Sequence, residues 1–359
     1  MKTMRSSRCS LKFLNKNKRQ VLEEVLQEYG RVVNGFIDLF WENTPKKTEL
    51  LKPIVDSVNT WMTFRLRKVA AREAIDMVLS AKNREDDKPP VKPRHAGKRM
   101  CVSSTIAELQ LSKTKEFDAW IHLASIGKGI ILDVPIRFHK HFNRLSSRGV
   151  RLNSYIITNK NVQFSFEVET GPKLPKDHCV GIDTGINALA SVSTEQQFGK
   201  DIKKCIDRIK RCKHGSKGQK RAVRALRQRM DEVAKEITGF SSLVVVENLK
   251  NITKKTKVKR RLNKSMRRSI GRWNVRYWLN RLEMTCQDRN VSFRTVSPAY
   301  TSQMCSACGH VDRGNRNGEV FKCLKCGHEA NADVQASKNI LARFLTGPYG
   351  AGCKPLVLV

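Results

Sequence analysis

The chain has 359 residues, of which 69 are Lys or Arg and 33 are Asp or Glu, for a formal net charge of +36. That length predicts two or three domains with a substantial core, and self-repulsion on that scale is best tolerated beside a polyanion, which points to nucleic acid before a membrane surface. No apolar run approaches the 18 residues of a membrane span, and Met1–Arg5 lacks the apolar stretch of a secretory leader, so the expectation is a cytoplasmic protein with no membrane partner.

In chain order, residues 5–14 alternate loosely and predict a short strand. From Lys18 to Trp41 the apolar residues Leu22, Val25, Leu26, Tyr29, Val32, Val33, Phe36, Ile37 and Phe40 recur at helical spacing, which predicts an amphipathic helix. A second helical stretch is expected over 55–81, and Pro89, Pro90 and Pro93 mark 83–99 as a linker. Residues 100–170 read as a β-rich module, with strands at 129–136 and 155–158, a turn at 159–161, and period-two alternation over 162–168.

From Asp177 onward the pattern is α/β. Asp183 interrupts the strand-like run Cys179-Val180-Gly181-Ile182-Asp183, and residues 188–193 suit a hairpin. Val223, Leu226, Met230, Val233 and Ile237 predict a helix over 221–237. Glu247 ends a second strand, Leu243-Val244-Val245-Val246-Glu247. A helix is expected over 267–288, a strand over 291–296, and a further helix that Asp333 opens. Residues 346–359 predict no element.

A carboxylate at the end of an apolar strand cannot be buried without a partner. Three that converge need a cation between them, and on so basic a chain the expected cation is Mg2+ and the expected substrate nucleic acid. A strand, a neighbouring strand end and a helix start can bring Asp183, Glu247 and Asp333 together across an RNase H-like sheet, where a RuvC-type nuclease needs its acids. Phosphodiester cleavage of this kind uses two Mg2+ ions about 4 Å apart held by carboxylate oxygens. Thr184 and Gly185 permit a tight turn and close approach of phosphate. Taken singly, each acid reads as readily as a strand end or a helix-terminus partner; the three in this order, with a cysteine insert between, favour the site.

That insert carries Cys305-x2-Cys308 and Cys323-x2-Cys326, each pair ending in Cys-Gly-His. Four thiolates fill a tetrahedral shell, so the expectation is one structural Zn2+ on Cys305, Cys308, Cys323 and Cys326, with His310 and His328 outside it. The other seven of the eleven cysteines read as small buried residues or neutral thiols. Residues 200–229 hold thirteen Lys or Arg against two acids, and 248–282 hold no acid at all. Arg272-Trp273 and Arg276-Tyr277-Trp278 interleave charge with aromatics, which suits phosphate contact plus stacking. The alternatives are a solvated helix face for the charges and a core role for at least one of Trp273 and Trp278.

The series Gly-Ile-Asp183-Thr-Gly, Val-Val-Glu247-Asn-Leu, Ser297-Pro-Ala-Tyr-Thr301-Ser-Gln-x-Cys305-Ser-x-Cys308-Gly and Asn331-Ala-Asp333-x-x-Ala-Ser-Lys-Asn-Ile resembles the TnpB proteins of bacterial insertion sequences. Glu116–Lys128 and the following segment with Pro135 are also similar. The resemblance implies an RNA-guided DNA endonuclease with a single RuvC site, related to the ancestors of type V CRISPR effectors, cutting beside a short adjacent motif. It implies a guide RNA from the transposon end and target double-stranded DNA as partners, and a bacterial, nucleoid-associated location. The implied fold is multidomain α/β plus β-barrel: a wedge β-barrel (1–16 and 95–173) interrupted by a helical recognition domain (17–94), an RNase H-like RuvC nuclease domain (174–300 and 330–345) with an inserted zinc ribbon (301–329), and a tail (346–359). The same positions carry the family's catalytic acids, Asp183, Glu247 and Asp333, and its zinc ligands, Cys305, Cys308, Cys323 and Cys326. A type V CRISPR effector, a guided repressor that binds without cutting and a strand-joining transposase are the alternatives.

Overall fold

The computed structural model describes residues 2–84, 89–113, 116–172, 178–249 and 274–346. The chain divides into two compact units, Lys2–Glu169 and the chain from Thr170 onward.

In the first unit, strand β1 (Lys2–Ser10) leads into α1 (Lys16–Phe40). Asn15 starts this helix by accepting the Lys18 backbone N–H at 2.8 Å, the usual device for a first-turn donor. The apolar stripe read from the sequence is its buried face, from Leu22 to Phe40. Where one helix was expected over 55–81 there are two, α2 (Lys52–Asp56) and α3 (Phe64–Lys82). The break has a local cause. Thr63 caps α3 in an extended backbone conformation, and the residues before it are tied to α1: Arg31 donates to Asn59 O and Thr60 Oγ1 to Glu28.

The strands β2 (Arg99–Ser103), β3 (Ala107–Leu111), β4 (Ala119–Leu123) and β5 (Leu132–Ile136) follow, then α4 (Lys140–Ser146), β6 (Gly149–Thr158) and β7 (Asn161–Glu169). They form two antiparallel sheets, ordered β1-β7-β6-β2 and β3-β4-β5. β1 pairs with β7 along its whole length, Lys2 opposite Glu169 through Ser10 opposite Asn161. The first strand is thus closed onto the last across the inserted helices. Alternation along β7 buries Val162, Phe164, Phe166 and Val168, as its period of two requires.

The second unit is built on a five-stranded sheet. Its strands are β8 (Cys179–Asp183), β9 (Ala190–Val192), β10 (Gln197–Phe198), β11 (Leu243–Glu247) and β12 (Ser292–Val296), in the order β10-β9-β8-β11-β12. β8, β11 and β12 are mutually parallel, and β9 and β10 are antiparallel additions at one edge. Helices α5 (Ile202–Arg211), α6 (Lys217–Phe240) and α7 (Val275–Asp288) share one core with Val180, Ile182, Val244 and Val246. Helix α8 (Ala332–Leu345) covers the opposite face, with Ile340 and Leu341 packed on Val245.

The expected helix over 221–237 extends to 217–240, because Ser216 caps it by accepting from Gln219 N. The basic run after Asp201 is also a helix, α5, because Ile202, Ile206 and Ile209 bury a helical stripe. α7 begins at Val275; residues 267–273, with Trp273, lie outside the described residues, as do the basic positions Lys254 to Arg272 and the tail from 347. Trp278 is fully buried, the core role expected of one tryptophan. Cys9 and Cys286 are buried, and burial pushes their thiols up to about 12, so they stay neutral. Cys353 lies outside the described residues. Among the described residues no helix is long and apolar enough to cross a membrane.

Candidate functional site

The parallel register of the two central strands places two acids side by side. Ile182 is opposite Val246, so Asp183 and Glu247 are the next residues of β8 and β11. Alternation fixes which way they face. Gly181 and Val245 are paired and lie under α8, so Asp183 and Glu247, two residues on, share that face. A Cβ at Gly181 would lie 2.2 Å from Ser337 O and 2.9 Å from Leu341 Cβ. Glycine is therefore what lets α8 settle onto β8.

α8 runs antiparallel to β8, so its first turn arrives at the strand's acidic end. Asn331, not Asp333, caps it, accepting from Asp333 N at 3.1 Å and Val334 N at 3.2 Å. The Asp333 carboxylate is thereby released from capping and turns to Arg316, whose Nη2 lies 2.6 Å from Oδ1. At Gly185, just past β8, a Cβ would lie 3.7 Å from Asp333 Oδ2. The end of β8 and the start of α8 thus meet at the acids.

Electrostatics follow from this crowding. Burial first, then the charges of Glu247 and Asp333, push Asp183 up to about 7, against the opposing pull of Arg316 and the Thr184 N–H. Glu247 is also raised, chiefly by burial, while Thr301, Arg343 and Arg316 oppose the shift. Among the described residues, only the four cysteines bring their ligand atoms all within 4.8 Å of one another. The three carboxylates are held wider, Asp333 toward Arg316 and Glu247 toward Thr301.

The cysteine insert lies between β12 and α8 in the chain. Its three short strands, β13 (Arg316–Asn317), β14 (Val320–Lys322) and β15 (Glu329–Asn331), form an antiparallel sheet whose last strand runs straight into α8. The two cysteine turns repeat one geometry. Cys305 N donates to His310 O and Gly309 N to Cys305 O; Cys323 N donates to His328 O and Gly327 N to Cys323 O, all within 2.9–3.0 Å. Gly309 and Gly327 have φ of +74° and +73°, a conformation that favours glycine. The Sγ atoms of Cys305 and Cys326 are 3.8 Å apart and those of Cys308 and Cys323 3.6 Å. A tetrahedron of sulfurs about 2.3 Å from zinc has edges of about 3.8 Å, so the four thiols form a cluster of the right size for that ion. His310 and His328 contribute backbone carbonyls to the turns and lie outside the thiol cluster.

Two site residues have no counterpart in the sequence reading as site residues. Thr301 donates its hydroxyl to Glu247 Oε1, and Arg316 pairs with Asp333. Both belong to the 301–329 insert, and neither has a local pattern that links it to an acid far away in the chain. The basic surface that was foreseen is present on α5 and α6, where Lys203, Lys204, Arg208, Lys220, Arg221 and Arg224 are exposed.

Residues 277–340 match the family model described as "Cas12f1-like, TNB domain". The chain is 39% identical to the CRISPR-associated endodeoxyribonuclease Cas12f1 of Sulfoacidibacillus thermotolerans over 20% of its length and 18% of that protein. It is 31% identical to the putative RNA-guided DNA endonuclease InsQ of Escherichia coli strain K12, over 51% of this chain and 52% of the relative. It is also 31% identical to the TnpB-like protein aq_aa05 of Aquifex aeolicus strain VF5, over 36% and 43%. The matched region thus spans about half or less of each of these relatives. The resemblance to TnpB read from the motifs is borne out by them. In fold, the chain is similar to the protein in a cryo-EM structure of a Cas12f1–sgRNA–target DNA complex, with a TM-score of 0.56 at 16% identity over 91% of this chain and 83% of that one. The mini-RNA-guided endonuclease CRISPR-Cas_phi3 aligns over 98% and 93%, with a TM-score of 0.51 at 10% identity.

Proposed function

We propose that this protein is an RNA-guided, magnesium-dependent DNA endonuclease of an insertion sequence, cutting DNA beside a short adjacent motif through one RuvC-type site. The observation that carries this reading is the convergence of Asp183, Glu247 and Asp333: two ends of neighbouring parallel strands on one sheet face, and the first turn of the helix that covers that face. Crowded carboxylates of this kind, one of them pushed up to about 7, favour a multivalent cation. Asp183, Glu247 and Asp333 would hold two Mg2+ ions, which supply charge stabilisation and an activated water for phosphodiester hydrolysis. The chain itself orients the acids. Thr301 engages one oxygen of Glu247 and Arg316 one oxygen of Asp333, leaving the other oxygen of each for metal.

The remaining assignments belong to the same reading. Cys305, Cys308, Cys323 and Cys326 would hold one structural Zn2+, with no open position for chemistry. The two antiparallel sheets of the first unit are read as the wedge β-barrel (1–16 and 95–173), α1 to α3 as the helical recognition domain (17–94), and the second unit as the RuvC domain (174–300 and 330–345) with its zinc ribbon (301–329). A net charge of +36 suits a guide RNA and target double-stranded DNA as partners. Relatives named for RNA-guided endonuclease activity and a neighbour solved with guide RNA and target DNA support this choice.

Sequencing the RNA that co-purifies with the protein, expressed with its flanking DNA, tests the proposal. A discrete non-coding RNA ending in a variable segment is the expected result. Bulk cellular RNA, or none, would turn the reading toward a nuclease or transposition factor that acts on DNA alone.

A further inference from the structure

The loop between β12 and the first cysteine is held by an unusual set of buried amides. Gln335 and Asn339, one turn apart on α8, are both completely buried. Asn339 donates to Thr301 O at 2.8 Å and to Met304 O at 2.7 Å. Gln335 donates to Met304 O at 3.1 Å and accepts from Ser306 Oγ at 2.9 Å. Turning the Asn339 amide over would set its oxygen against two carbonyls, so its orientation is fixed, and its Oδ1 is left buried with no hydrogen-bond partner among the described residues. An unsatisfied buried oxygen is costly, because its hydration is lost and not replaced. The fold accepts that cost while holding residues 301–306 firmly to the helix that carries Asp333.

Thr301 is what this arrangement fixes. It is 1% exposed. Its hydroxyl has one proton and two acceptors in reach, Glu247 Oε1 and Pro298 O at 3.2 Å. The ionised carboxylate is the stronger acceptor. A Thr301 donor held at Oε1 fixes the Glu247 rotamer and so the direction of Oε2. The chain of contacts runs from α8 through Asn339 to the Thr301 backbone, and from the Thr301 hydroxyl to the acid of β11. Four residues further on, the same loop supplies Cys305.

We propose that Thr301 is a positioning residue for Glu247, locked by the buried Gln335–Asn339 pair, so that the seating of the cysteine insert on α8 sets the direction of one metal-binding carboxylate. This inference rests on the reading of the three acids as a divalent-cation site. Hydrogen bonds that orient metal ligands are worth about 10- to 100-fold in metal affinity or activity. Thr301→Val keeps the shape and removes the donor, whereas Thr301→Ser keeps the donor.

The test is Mn2+ titration of the full chain followed by electron paramagnetic resonance, with Asp183→Ala to identify the site. Melting temperature and zinc content are measured on every variant. The expected result is a Mn2+ site lost in Asp183→Ala, weakened about tenfold or more in Thr301→Val, and largely restored in Thr301→Ser, with zinc content unchanged. Asn339→Leu should reproduce the Thr301→Val weakening. If Thr301→Val binds Mn2+ as tightly as the wild-type chain at that same site, the positioning role is wrong while the cation site stands. If no Mn2+ site responds to Asp183→Ala, the reading beneath the inference fails, and the inference with it.

Discussion

Arg316 Nη2 stands 2.6 Å from Asp333 Oδ1, and both residues are anchored by the same small sheet. Arg316 opens β13, at one edge of the ribbon sheet, and Asp333 follows two residues after β15, at the other. The positive charge therefore comes from the cysteine insert and the negative charge from the helix that covers the five-stranded sheet. This pair lowers the cost of gathering three acids, and its charge opposes the rise of Asp183 and Glu247.

Replacing Arg316 by Gln should leave the ribbon folded and the acids less well compensated. The expected outcome is a loss of about 10- to 100-fold in single-turnover DNA cleavage, the usual range for groups that orient metal ligands, with target binding and zinc content retained. Cleavage at the wild-type rate would place Arg316 outside the site.

Gly181→Ala probes the seat of α8. The added Cβ would meet Ser337 O at 2.2 Å, Leu341 N at 2.7 Å and Leu341 Cβ at 2.9 Å, none of them the far end of a flexible side chain that could move aside. Overpacking of this kind costs about 1–3 kcal/mol, occasionally more. Thermal unfolding should show a clear drop in Tm, and cleavage should fall further than stability alone accounts for, because α8 carries Asp333. A neutral Gly181→Ala would mean that α8 is not seated this closely.

Zinc content should be one ion per chain, and Cys323→Ser should lose it. A four-cysteine zinc site contributes on the order of 10 kcal/mol to the fold around it. Because Thr301 and Arg316 lie in the same insert, chelation should depress cleavage as well as ribbon stability. Metal analysis and cleavage assays on the same preparation check both, and a zinc-free wild-type chain with full activity would refute the assignment.

In the first unit, His95 gives a pH signature. Burial lowers its pKa below the usual 6.5, Glu73 opposes that shift and Arg99 adds to it. Nδ1 accepts from Gly97 N at 3.2 Å, and Nε2 is buried with no hydrogen-bond partner among the described residues, 3.7 Å from Glu73 Oε1. Tyr29 and Arg99 both donate to Glu73 beside it. Below pH 6.5 the unfolded chain takes up a proton that the folded chain resists, so stability falls as pH drops through that value. Melting curves between pH 7.5 and 5.5 should show a smaller loss for His95→Gln than for the wild type. Parallel curves would contradict a neutral buried His95.

Much of the second unit is legible in the sequence because its signals are local. An apolar strand that ends in an acid, a Cys-x2-Cys-Gly pair, and Val223 to Ile237 at helical spacing each declare their element. α8 was foreseen, but its cap was not: Asn331 and Asp333 both suit a helix start, and only the folded backbone shows that Asn331 takes the role. The break between α2 and α3 was hidden because apolar residues continue at near-helical spacing through a loop fixed by contacts with α1. Thr301 and Arg316 were beyond reach for another reason. A threonine and an arginine are ordinary in any loop, and what makes them part of the site is a partner 54 residues before one and 17 residues after the other.

The most direct test is cleavage of a matched double-stranded DNA target by the protein bound to its co-purified RNA, with Mg2+, comparing the wild type with Asp183→Ala. Guide-dependent cutting by the wild type and binding without cutting by the variant are the expected results. Equal cutting by both, or cutting that ignores the guide, would contradict the proposed function.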